Sequence, residues 1–119
     1  MKIIIAGGRD INDYEIVKTT IEDSPFNKQI TEVISGGCRG IDMLGQKWAE
    51  DNNIPFRIFF PDWDIHGKSA GPIRNENMIK KGNADGLIII WDGKSIGSKN
   101  MKKLAQKYNI KIYEKIINL

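Results

Sequence analysis

Residues 32–42 read EVISGGCRGID, in which an apolar strand runs through a glycine-rich turn into the start of a helix. The strand is predicted over residues 32–34, and the glycines at 36, 37 and 40 form the turn. In the helix that follows, apolar residues recur at the spacing of one helical face, namely Ile41, Leu44, Gly45, Trp48 and Ala49. A strand followed by a covering helix is the repeating unit of a parallel sheet.

The rest of the chain continues this alternation. Further strands are predicted over residues 2–6, 56–60, 86–91 and 110–113. Asn12 is the predicted N-cap of the first helix, with Glu15 completing a capping box, and residues 61–70 are predicted to form a loop before a helix that has Pro72 in its first turn. We therefore predict one α/β domain over residues 1–119, built on a doubly wound parallel sheet of about five strands with helices on both faces.

The composition is that of a globular protein without disulfides. Of the 119 residues, 40% are hydrophobic and 28% are charged, and Cys38 is the single cysteine. The apolar start of the chain is too short for a signal-peptide core, and no apolar run could span a bilayer. We expect a cytoplasmic protein with no membrane partner. Much of the net charge of +3 comes from lysines in the last quarter, which are interpreted as a solvated helix face and do not favour nucleic acid as a partner.

Ligands of doubly wound sheets bind beyond the carboxyl ends of the strands. Four polar, glycine-containing segments are predicted to meet there. Glycines allow a phosphate to approach the backbone, helix N-termini add free N–H groups, and arginines bind phosphate in bidentate fashion. The predicted ligand- and phosphate-binding residues are Gly7, Gly8, Arg9, Asp10, Ser35, Gly36, Gly37, Arg39, Gly40, Asp42, Trp63, Arg74, Asn75, Trp91, Asp92, Gly93, Ser95, Gly97 and Ser98.

Some of these residues allow more than one interpretation. Residues 35–42 match neither a Walker A loop nor the G-x-G-x-x-G fingerprint. Asp42 lies in the first turn of its helix, where it is either a cap or a ligand contact. Arg74 lies near a helix start, where the helix dipole disfavours a cation, so an arginine there favours an anionic ligand. His66 has no cluster of metal-ligating residues around it in the sequence, so neither a metal nor a cofactor is predicted.

The aromatic and thiol side chains in these segments are also ambiguous. Trp63 and Trp91 follow predicted strands, where each ring either stacks on a base or packs against the protein. Cys38 lies near a helix N-terminus beside Arg39, an environment typical of reactive thiols. No base partner for this thiol is evident, so no catalytic residue is assigned.

Taken in order, these segments resemble the SLOG superfamily, which is named after the Smf/DprA and LOG proteins. The closest resemblance is to its small single-domain YspA/cpYpsA-related branch, which is common in bacteria and their phages. Residues 7–10 resemble its opening turn, and residues 35–42 resemble its phosphate loop and the Ser-Gly…Gly-Ile-Asp signature of DprA. Residues 61–63 with 71–75 resemble its middle motif, and residues 91–98 a variant of its last glycine-rich turn. The resemblance covers nearly the whole chain and implies a Rossmann-like domain.

The resemblance also implies a function. Members of the superfamily bind nucleotides, nucleotide-derived signals or nucleic acid. We therefore predict that the chain binds a nucleotide or a nucleotide-derived molecule, ADP-ribose-like or cyclic, as a sensor or a sequestering protein. A phage-encoded member would bind the molecule in the host cytoplasm, where binding could act against a host defence system.

Two other functions stay open at this point. LOG enzymes hydrolyse the N-glycosidic bond of nucleoside monophosphates, and Arg74 and Ser98 fit their pattern. Met101 stands at the position of their glutamate, and a methionine cannot activate water. A phosphoribohydrolase, or a hydrolase of an ADP-ribose derivative, would need Asp10, Asp42 or Asp92 instead. The other alternative is DNA binding in the manner of DprA.

We further expect a homo-oligomer, a dimer or larger. Superfamily members that resemble this chain commonly pair through helices beside the phosphate loop. Large side chains on the predicted helices also exceed what one small core is expected to cover, namely Tyr14, Met43, Trp48, Met78 and Tyr108.

Overall fold

The computed structural model describes residues 1–118, and its framework is one sheet of five parallel strands. The strands are β1 (Lys2–Gly7), β2 (Glu32–Ser35), β3 (Phe56–Ile58), β4 (Gly86–Trp91) and β5 (Lys111–Ile116). Their order is β3-β2-β1-β4-β5, so the chain moves outward from β1 first in one direction and then in the other. This is the doubly wound arrangement, and the predicted fold class is confirmed.

Helices cover both faces of the sheet. They are α1 (Tyr14–Asp23), α2 (Ile41–Asp51), α3 (Trp63–His66), α4 (Ala70–Lys80) and α5 (Ile96–Lys107). In β1, Ile3 and Ile5 pack on the side of α1 and α2, while Ile4 packs on the side of α4 and α5. All six residues of β4 are buried, as expected of a strand with neighbours on both edges and both faces. Between residues 1 and 118, no helix has the length and apolarity needed to cross a bilayer.

The structure corrects three local predictions. The N-cap of α1 is Asp13 and not Asn12, because Asp13 has the extended backbone of a cap and its carboxylate accepts the Glu15 N–H at 3.0 Å. Residues 61–70 are not a loop, since they contain α3, a 3₁₀ turn and the first residue of α4. Strand β3 ends at Ile58, two residues earlier than predicted, because Ile58 is in register with Ser35, the last residue of β2.

The large helical side chains are mostly accommodated within one copy of the chain. Trp48 is 6% exposed and Met78 is 2% exposed, each in a core cluster. Tyr14 and Tyr108 are half-buried and donate hydrogen bonds to Asp51 and Glu76. The argument that these side chains exceed one core is therefore wrong for most of them. The homo-oligomer stays a prediction, which light scattering of the purified protein measures.

Candidate functional site

A cavity of about 400 Å³ opens at the carboxyl edge of the sheet, near the switch in strand order at β1. The turns after β1, β2 and β4, the middle of α4 and the first turns of α5 surround it. Arg74 is therefore not near the start of its helix as predicted, because α4 already begins at Ala70. The predicted residues that line it are Gly7, Gly8, Arg9, Asp10, Arg39, Asp42, Arg74, Asn75, Asp92, Ser95, Gly97 and Ser98. Segments that are far apart in the sequence thus meet in one place, and the volume is within the range of small-molecule sites.

The turns after β1 and β2 pack directly against each other. The Ile41 N–H donates to the Gly8 carbonyl at 3.1 Å, and the Gly8 N–H donates to the Ile90 carbonyl at 3.0 Å. Gly40 has a φ of +79°, and a Cβ there would collide with the backbone of Gly8 and Arg9. A Cβ on Gly7 would overlap the Ile90 carbonyl oxygen. Gly40 is therefore required for contact between the two turns, and Gly7 for contact between β1 and β4, whether or not a ligand is bound.

Arg74 ties three of the segments together. Its Nη1 donates to the Gly36 carbonyl at 2.6 Å, and its Nε donates to the Asn75 Oδ1 at 2.9 Å. Asn75 is buried and donates in turn to Asn100 Oδ1 at 2.9 Å and to the Gly97 carbonyl at 3.4 Å. Within the described part of the chain, nothing accepts from Nη2, which leaves that end of the guanidinium for a ligand.

The N-terminus of α5 forms a second wall of the cavity. Ser95 is its N-cap, and the Ser95 hydroxyl accepts the Ser98 N–H at 3.5 Å and contacts the Ser98 hydroxyl at 3.3 Å. The first N–H groups of a helix have no partner inside the helix and carry a partial positive charge. Ser95 and Ser98 therefore offer hydroxyl groups at a place that also favours an anion.

The three carboxylates at the cavity differ in what they already bind. Asp10 forms an exposed ion pair with Arg39 at 3.2 Å. Asp92 Oδ1 accepts the N–H groups of Lys94 at 2.8 Å and Ser95 at 3.0 Å, and these bonds lower the Asp92 pKa. Asp92 is thus engaged by its own turn, whereas Asp10 is an exposed carboxylate with a single ion pair.

Asp42 is the buried member of the three, only 6% exposed. Its Oδ2 accepts the Cys38 N–H at 3.1 Å, so it holds the turn after β2 in place. Burial raises the pKa of Asp42 from 3.8 to about 6, although the Cys38 hydrogen bond and the charges of Arg74 and Arg9 act in the opposite direction. The sequence left open whether Asp42 is a helix cap or a ligand contact. In the structure, its side chain stabilises the turn after β2 and also lines the cavity.

This pKa gives the stability a pH dependence. Because the folded-state pKa is raised, the contribution of Asp42 is fully present below pH 3.8 and is lost as the pH rises through about 6. The amide side chain of the variant Asp42→Asn cannot ionise. We therefore expect the unfolding free energy of this variant, minus that of the unsubstituted protein, to increase by about 2 kcal/mol from pH 4 to pH 7.5. Urea unfolding of both proteins at the two pH values measures the gain. A stability difference that is the same at both would contradict the expectation.

Several predicted site residues do not line the cavity, namely Ser35, Gly36, Gly37, Gly40, Trp63, Trp91 and Gly93. Trp91 corrects the stacking interpretation, because its ring is 4% exposed in the core and its Nε1 donates to Glu114 at 2.7 Å. The Ser35 hydroxyl is likewise fully buried and accepts from Gln46 and from the Gly37 N–H. Trp63 is about half exposed on α3, away from the cavity lining.

Other residues of the site were not foreseen. Ala6, Ile11, Met78 and Met101 form its apolar lining, and Cys38 also faces it. Asn100 contributes through its bond to Asn75, and no sequence motif marks that pair. Across residues 1–118 no three His, Cys, Asp or Glu side chains are grouped as metal ligands would be.

The fold and the cavity together define a Rossmann-like α/β domain with a glycine-lined cavity at the switch point of the sheet. A model of the YspA, cpYpsA-related SLOG family (YAcAr) matches residues 1–66. The chain belongs to this family, as its glycine-rich turns predicted.

Two known proteins are similar to the chain. The Gene 61 protein of Mycobacterium phage D29 is 32% identical over 120 residues, covering 93% of each chain. The X-ray structure of DNA processing protein A (DprA) from Streptococcus pneumoniae superposes with a TM-score of 0.73 at 17% identity, over 95% of this chain and 49% of that one. The likeness to DprA concerns the fold, and the chain spans about half the length of that protein.

Proposed function

We propose that the chain binds a nucleotide or a nucleotide-derived molecule, ADP-ribose-like or cyclic, with its phosphate in the cavity at the carboxyl edge. The observation that carries the proposal is that Arg9 and Arg74 line this cavity and neither forms an ion pair with a carboxylate of residues 1–118. Arginines that line a cavity without being held in an ion pair are free to bind a phosphate. The N-terminus of α5 adds partial positive charge to the same wall.

The cavity favours a binding protein over a hydrolase. Met101 is 1% exposed and contributes an apolar wall where a LOG enzyme has its glutamate. Asp10 and Asp92 are engaged by Arg39 and by the turn after β4. A protein that binds a phosphate-bearing molecule without converting it is suited to sensing or sequestering that molecule. The phage origin of the Gene 61 protein is consistent with sequestration of a host signal.

A thermal-shift screen tests the proposal. Its probes are AMP, ADP, NAD, ADP-ribose, cyclic dinucleotides and inorganic pyrophosphate. At a hundredfold excess over Kd, we expect a bound probe to stabilise the protein by about 2.7 kcal/mol, a Tm increase on the order of 8 °C for a chain of this size. Absence of stabilisation by every probe would refute the proposal.

Chromatography of the same mixtures separates binding from catalysis. We expect each probe to be recovered intact after incubation with the protein. Free base or free ribose phosphate in the eluate, lost in Asp42→Asn, would establish a hydrolase in place of a binding protein. A gel shift with single-stranded DNA at two salt concentrations tests the remaining alternative, because phosphate contacts weaken steeply with salt.

A further inference from the structure

The carboxylate of Asp42 is largely buried but has one oxygen open to the cavity. The side chain is 6% exposed and lines the cavity. Its Oδ2 accepts the Cys38 N–H at 3.1 Å, the Cys38 thiol is a weaker donor to the carboxylate, and no N–H or O–H group of residues 1–118 donates to Oδ1. Across residues 1–118 no buried side-chain oxygen lacks a hydrogen-bond partner, so Oδ1 is reached from the cavity and is not sealed inside the protein. A carboxylate accepts about four hydrogen bonds, so this oxygen can accept one from a ligand in the cavity.

The neighbouring cations do not supply this donor. Arg74 and Arg9 are close enough to act on the charge of Asp42. The hydrogen bonds of Arg74, however, go to the Gly36 carbonyl, to Asn75 Oδ1 and, at 3.9 Å, to the Cys38 sulfur. Asp42 thus receives favourable charge from the two arginines but no hydrogen bond from them.

The signs of the charges divide the cavity into two kinds of surface. A phosphate of the ligand is attracted to Arg9, Arg74 and the start of α5 and is repelled by the ionised Asp42. The group of the ligand that meets Asp42 must instead donate a hydrogen bond. In a nucleotide, the ribose hydroxyls are hydrogen-bond donors, and they lie on the same sugar that carries the phosphate.

We propose that Asp42 accepts a hydrogen bond from a ribose hydroxyl of the ligand, so that the site selects ribose-bearing phosphates. The inference rests on the proposed function, since it assumes that the phosphate binds in this cavity. It assigns Asp42 two tasks, with Oδ2 holding the turn through Cys38 and Oδ1 reading the sugar. The charges of Arg74 and Arg9 favour the ionised carboxylate and partly offset the effect of its burial.

The test compares AMP with 2′,3′-dideoxy-AMP by isothermal titration calorimetry at pH 7.5. Hydrogen bonds to a charged group are among the stronger ones, and we expect the unsubstituted protein to bind AMP about tenfold more tightly than the dideoxy compound. Asp42→Asn keeps an oxygen for the Cys38 N–H but loses the charge. We expect it to bind AMP about tenfold more weakly, and to bind the dideoxy compound as tightly as before or more tightly.

Asp10→Asn is the matched control, because it removes the same charge from the same cavity at an exposed carboxylate. We expect it to change the affinity for both compounds by the same factor. If Asp42→Asn does not fold, the pH dependence of the unsubstituted protein serves instead. Its preference for AMP should then decrease below pH 6, where Asp42 takes up a proton.

Three results would overturn the inference. The first is that Asp42→Asn binds both compounds more tightly, and by the same factor. Asp42 would then only stabilise the turn after β2 and repel the phosphate. The second is that the unsubstituted protein binds AMP no more tightly than the dideoxy compound; the proposed function would then survive alone. The third is that no probe binds at all, which would refute the proposed function as well.

Discussion

Gly40→Ala is expected to destabilise the protein by about 4 kcal/mol. Gly40 has a φ of +79° and a ψ of −130°, a region that alanine occupies only with strain of about 1–3 kcal/mol. A Cβ at this position would also collide with the backbone of Gly8 and Arg9. Backbone atoms cannot rotate away as a side chain does, so the turns after β1 and β2 would have to separate. Urea unfolding of the substituted and unsubstituted proteins measures the loss.

Gly97→Ala is the control for this substitution. Gly97 lies in the first turn of α5, and a Cβ there meets no atom within 4 Å. Because alanine favours the helix over glycine, we expect a gain of about 0.5–1 kcal/mol. Equal losses of unfolding free energy in Gly40→Ala and Gly97→Ala would contradict the conclusion that position 40 requires glycine for contact between the two turns.

Arg74→Ala is expected to weaken the binding of pyrophosphate and of AMP about 100-fold. The substitution removes a charged donor from the cavity, and a hydrogen bond to a charged group contributes about 1.5–3 kcal/mol. Arg74→Lys keeps the charge but loses the planar fork, and we expect a loss of about tenfold. Calorimetric titration of each variant gives these ratios.

Arg39→Ala separates the effect of the site from that of net charge. Arg39 lines the same cavity, but it is exposed and paired with Asp10. An exposed ion pair is worth little, so we expect its loss to weaken binding less than threefold. If Arg39→Ala costs as much as Arg74→Ala, general charge and not the Arg74 geometry attracts the ligand. Because Arg74→Ala also leaves the Gly36 carbonyl without its donor, its unfolding free energy is measured alongside.

Prediction of the elements succeeded where a pattern was long and regular. The apolar run of Gly86–Trp91 and the one-sided stripe of Ile41–Asp51 both form the elements predicted. It failed where short-range signals were nearly equal. Asn12 and Asp13 are both good N-caps, and the backbone angles of Asp13 select it. The four residues of α3 depend on one cap, in which Asp62 accepts the Ile65 N–H at 3.2 Å.

The location of the site also followed from the sequence, because the carboxyl ends of parallel strands meet at one edge of the sheet. The direction of single side chains did not follow. Trp63 and Trp91 both come after a strand, yet Trp63 is 54% exposed and Trp91 is 4% exposed. Trp91 is the last residue of a fully buried strand, where the neighbouring β5 and Glu114 enclose its ring.

Local patterns in the sequence were thus sufficient for the alternation of strands and long helices, for the parallel sheet and for the edge at which its turns collect, but not for α3. They were sufficient because strand and helix periodicities act over a few residues and because parallel strands need covering helices. The partners of Arg74 and the burial of Asp42 required the folded chain. Gly36 and Arg74 are 38 positions apart, and their hydrogen bond exists only because the packing of β2, α4 and α5 brings them together.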